Sequence, residues 1–74
     1  MFLNQPGELD LYVIYDHPRD YPGEFVVRRW ELGKPRELLG SANTLQGARK
    51  LLPPGLVNLG RYEQDDPFIV EVWV

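Results

Sequence analysis

The chain has 74 residues, 43% hydrophobic and 26% charged, with eleven acids against eight bases and no cysteine. That length suits one domain spanning 1–74, and a chain this short hides only about 60% of its unfolded surface, so each large side chain matters to stability. The absence of cysteine excludes disulfides and thiolate metal sites, the single histidine argues against zinc, and a net charge of −3 disfavours a phosphate backbone as partner.

No basic leader precedes an apolar stretch at the amino terminus, and nowhere do eighteen apolar residues run together. These features lead us to expect a soluble, cytoplasmic protein with no membrane span, no cofactor and no bound metal.

In chain order, LDLYVIYD (9–16) reads as a strand. Leu9, Leu11, Val13 and Tyr15 share one face, and Asp10, Tyr12, Ile14 and Asp16 the other. EFVVRRWEL (24–32) is a second β-rich run, and the intervening HPRDYPG, with two prolines and a glycine, is the connection of a hairpin. GKPRELLGSA (33–42) carries two glycines and a proline, and reads as a connector. A helix is predicted near 44–52: Asn43 is a suitable N-cap, Gln46 stands where a capping box wants Glu or Gln, and Leu45, Ala48, Leu51 and Leu52 recur at near-helical spacing. Gly47 inside it costs about 1 kcal/mol against alanine, so tertiary packing must hold the segment. Pro53-Pro54-Gly55 ends it.

LVNLGRY (56–62) is an irregular strand with Gly60 as a bulge, EQDDP (63–67) a turn, and FIVEVWV (68–74) the clearest strand of the chain. The order ββαββ predicts an α+β fold, a small four-stranded and mostly antiparallel sheet with one short helix on one face.

Motifs for chemistry are sparse. His17, between Asp16 and Pro18 and followed by Arg19, could serve as a general base oriented by a carboxylate, but Ser41 is the only serine and no spacing couples it to His17. The same residues suit a solvated hairpin tip. The acids of 63–66 lack the ligand spacing of a calcium loop, and GARK (47–50) lacks the arrangement that cradles phosphate. Arg28 and Arg29 are strand neighbours and point to opposite faces, so they form no basic groove.

The feature with functional content is the sheet itself, because one short helix covers one face only. If Leu11, Val13, Tyr15, Val70 and Val72 face the helix, then Tyr12, Ile14, Ile69 and Trp73 face away. Strand two would add Phe25 in one register or Trp30 in the other. Phe68, Val70, Val72 and Val74 are the expected inward set of the last strand. Exposed apolar patches of that size mark interaction sites, so Tyr12, Ile14, Phe25, Trp30, Ile69 and Trp73 are the candidate partner-binding residues.

The expected function is a non-enzymatic protein–protein interaction module that binds a protein partner through this face or forms a homodimer by it. Alternatives are a small phage- or bacteria-borne inhibitor that blocks a larger machine, or an enzyme using loop 16–21 with His17. A third way to use the face is cover from within the chain, by the MFLNQP segment or by 33–42. Nucleic acid is disfavoured by the acidic charge and the strand order.

Overall fold

The structure is a computed structural model that describes residues 10–31, 33–61 and 66–74. Its sheet has five antiparallel strands in the order β3-β2-β1-β5-β4, with one short helix. The strands are β1 (Asp10–Asp16), β2 (Phe25–Glu31), β3 (Lys34–Ala42), β4 (Asn58–Gly60) and β5 (Ile69–Trp73); the helix α1 (Leu45–Arg49) lies between β3 and β4. The class is α+β, as expected, but the order is βββαββ rather than ββαββ. The MFLNQP segment, Leu9 and Leu32 of the predicted strands, and most of the 63–67 turn lie outside the described residues.

The additional strand is 33–42, read from sequence as a connector. Gly33 has φ of 76°, a backbone conformation open to glycine at little cost, and it helps turn β2 back so that Glu31 pairs with Lys34. Pro35 lies opposite Trp30 in a strand at the sheet edge, where a missing N–H is tolerated. The prolines and glycines that read as punctuation are compatible with an edge strand. They would not be with a central one.

The helix is shorter than predicted, and its N-cap is Thr44 rather than Asn43. Thr44 Oγ1 accepts the Gly47 amide at 3.0 Å. Turns continue past Arg49, through Leu51 N–H to Ala48 O at 3.0 Å and Leu52 N–H to Arg49 O at 3.2 Å, before Pro53. Space at Gly47 is tight: a Cβ there would stand 3.0 Å from the Ala42 Cβ and 3.1 Å from Thr44 Oγ1. The predicted bulge is present at Gly60, which has φ of 75° where the β4–β5 register shifts.

Strand parity divides the side chains into the two sets read from the sequence, but α1 covers the opposite one. Ile14, Val27 and Ala48 form the core cluster, with Phe25, Leu39, Ala42, Leu45, Leu52 and Trp73 packed against it. Ile14 and Val27 are fully buried at the paired centre of β1 and β2. Leu11, Val13, Tyr15 and Val72, with Val74 by alternation, therefore face away from the helix, and the bulge at Val70 brings Ile69 opposite Tyr15 on that same side. Alternation identifies residues that travel together; it does not say which group the helix selects.

Glu71 joins the helix to the face it covers. It projects from β5 on the helix side with only 7% of its surface exposed. There it meets Arg49 of α1 through Nε at 3.0 Å and through Nη2, and it accepts the Trp73 indole N–H at 3.0 Å. Arg49, then the two weaker hydrogen-bond donors Trp73 and Asn58, hold its carboxyl below the ordinary range against the opposing effect of burial. From sequence this acid marks solvent. In the fold it fastens the helix to the sheet.

Candidate functional site

The six residues nominated from sequence fall in different places. Ile14 is fully buried. Phe25 and Trp73 pack on the helix-side core, and Tyr12, paired with Trp73, shares that face. Ile69 is buried opposite Tyr15, at the bulge in the β1–β5 register. Trp30, the partner of Leu11, lies on the helix-free face, and Ile69 reaches the same face as the partner of Tyr15. The placement of Tyr12, Ile14 and Trp73 away from the helix is thus corrected: they face it.

The helix-free face is built from the other parity set. Across β1 and β2 the pairs are Leu11 with Trp30, Val13 with Arg28, and Tyr15 with Val26. The Trp30 indole donates to the Tyr15 hydroxyl at 3.0 Å, bridging over the Val13–Arg28 pair. Burial raises the Tyr15 pKa against the lowering effects of the Trp30 bond and the Arg28 charge. The face continues to the β4 edge, where Val57 and Val74 exchange backbone hydrogen bonds of 2.7 and 3.0 Å. Val57 is 60% exposed and Leu59 45%.

At one end of this face is an open cleft of about 630 Å³, within the size range of small-ligand pockets. Its apolar surface comes from Val26, Tyr15, Phe68 and the prolines Pro18, Pro35 and Pro67; Arg19, Arg28, Asp20 and Asp66 supply charge of both signs. Two turns shape the walls. Tyr21 N–H bonds Pro18 O at 2.9 Å on one side, and on the other Phe68 N–H bonds Asp66 Oδ1 at 2.9 Å while Asp16 N–H bonds Phe68 O at 2.7 Å.

The loop after β1 therefore divides. Pro18, Arg19 and Asp20 line the cleft, whereas His17 turns toward the helix side of the sheet. Its ring meets Phe25 edge-to-face at 5.1 Å and its Nδ1 contacts Asp16 Oδ1. His17 also has φ of 51°, an uncommon conformation for a residue with a side chain and one in which histidine is enriched. This places the histidine at the strand-to-loop corner, outside the cleft lining.

The two arginines of β2 separate as parity requires. Arg29 engages Glu37 with Nε at 2.9 Å and Nη2 at 3.0 Å, and reaches Asp10 at 3.2 Å; these carboxylates hold it more firmly protonated. Arg28 instead lines the cleft and donates from Nη1 to the Arg36 carbonyl at 2.9 Å.

The cleft residues Tyr15, Arg28 and Phe68 were not nominated from sequence. The signal for them was Arg28, a cation in the otherwise apolar register of Val26 and Trp30. Among the described residues no group of three or more His, Asp or Glu is placed to hold a metal, and no helix is long and apolar enough to cross a membrane. No known family, no curated protein and no solved structure matches the chain.

Proposed function

We propose that the protein is a small non-enzymatic interaction module that binds a protein partner through the helix-free face of its sheet. The observation that carries this reading is the 630 Å³ cleft on that face, in which aromatic and proline walls stand beside charges of both signs. Apolar surface with a few placed polar groups is what a specific protein-binding surface requires. The exposed Val57 and Leu59 extend the apolar area toward β4. An acidic chain directs the reading toward protein rather than nucleic acid.

The test is to select peptides on the folded protein from a randomised display library and map them by amide chemical shifts. Perturbations concentrated at Tyr15, Val26, Arg28 and Phe68 support the reading. Perturbations confined to the helix side, around Leu45 and Arg49, refute it. A mass that rises with concentration in light scattering, and falls on Val57→Lys, would assign the face to self-association instead.

A further inference from the structure

We propose that Arg28 and Tyr15 form a carboxylate-binding subsite within the cleft, which takes a single Asp or Glu side chain from an extended segment of the partner. The inference rests on the reading of the helix-free face as the binding surface and specifies its ligand chemistry. Arg28 spends one N–H on the Arg36 carbonyl, and the rest of its guanidinium fork is uncommitted among the described residues. Tyr15 accepts the Trp30 indole N–H, which leaves its own hydroxyl proton to donate.

Both groups line the same cleft, next to the apolar surface of Val26 and Phe68. A planar guanidinium and a hydroxyl donor within one cleft suit a carboxylate, and the apolar surface around them strengthens a charge-assisted bond. The three remaining charges, the cation Arg19 and two acids, narrow the ligand class. Asp20 and Asp66 line the cleft too, and both act on Tyr15 as negative charges. They would repel a phosphate or a polyanion, which carries more charge than Arg28 and Arg19 can offset beside two acids, while one carboxylate can sit on Arg28 with a neutral or cationic neighbour toward the acids.

The experiment is a titration of the ¹⁵N-labelled full chain with the capped peptide acetyl-Phe-Glu-Pro-amide and its Gln counterpart, following the Tyr15 and Val26 amides and the Arg28 Nε–H. The Glu peptide is expected to give saturable shifts, with the Gln peptide at least about tenfold weaker. Arg28→Gln should erase that difference, and Arg28→Lys, which keeps charge without the fork, should leave part of it. Far-UV dichroism of each variant establishes that it is folded.

Equal binding of the Glu and Gln peptides at the cleft would overturn the carboxylate subsite while leaving the face as a binding surface. Tighter binding of inorganic phosphate than of the Glu peptide would overturn it in favour of a phosphate site. No shift with either peptide overturns it as well, and the display-selected peptides then decide separately whether the face binds anything.

Discussion

Glu71→Gln tests the helix attachment directly. The wild-type carboxylate accepts two bonds from Arg49 and one from the Trp73 indole, at 9% side-chain exposure, whereas Arg49 is 40% exposed. Glutamine keeps one acceptor oxygen and turns an amide NH₂ toward a guanidinium, so a charge-assisted bond is lost and a donor faces a donor. Hydrogen bonds to charged groups contribute about 1.5–3 kcal/mol; solvent screening at the exposed arginine reduces this to about 1–2 kcal/mol. For a domain of this size that corresponds to a fall in Tm of roughly 5–15 °C.

The effect has a pH signature. The folded-state pKa of Glu71 lies below its ordinary value of 4.5, so its contribution is complete above that value and is lost as pH falls through the lower folded one. The stability gap between wild type and Glu71→Gln should therefore be widest near neutrality, narrow as pH falls below 4.5, and close once pH lies below the folded-state pKa. Urea melts across pH, with a double-mutant cycle against Arg49→Ala, measure it. A Tm within about 2 °C of wild type, or zero coupling to Arg49, would refute the latch.

Ile14→Ala should cost about 2–5 kcal/mol in urea denaturation, because Ile14 is fully buried at the centre of the core cluster; a cost under about 1 kcal/mol would contradict that placement. Gly47→Ala should fail to deliver the roughly 1 kcal/mol that helix propensity alone promises, since the new methyl meets Ala42 and Thr44 at 3.0 and 3.1 Å. A thermal melt reads this, and a clear gain in Tm would count against the close approach. His17→Ala should change stability by less than about 1 kcal/mol and leave peptide binding at the cleft intact, its ring being exposed and directed to Phe25. Loss of binding in a folded variant would bring His17 back as a functional residue.

The long alternating runs were legible because a two-residue period survives in single sequences. Leu11, Val13 and Tyr15 separate cleanly from Tyr12 and Ile14, and Gly60 announced its bulge. β3 was hidden because Pro35 and Gly40 weaken a strand pattern, and only its edge position makes them acceptable. The cap moved by one residue because Asn43 and Thr44 are both good caps, and only geometry shows which side chain reaches Gly47. The side of the sheet taken by α1 was read in reverse. An acid such as Glu71 looks like a solvent marker until its partner, Arg49, is placed 22 residues away in sequence. The candidate site inherited that error, so of the nominated residues only Trp30, and Ile69 through the β5 bulge, fall on the helix-free face.

The two tryptophans stand on opposite faces, so their separate emission reports on the central claim. Trp73→Phe leaves Trp30 as the sole indole, and Trp30→Phe leaves Trp73. On adding a display-selected peptide, the Trp30 emission should shift and become less accessible to acrylamide, while the Trp73 emission stays as it was. A response from Trp73 with none from Trp30 would contradict the account and return the binding surface to the helix side.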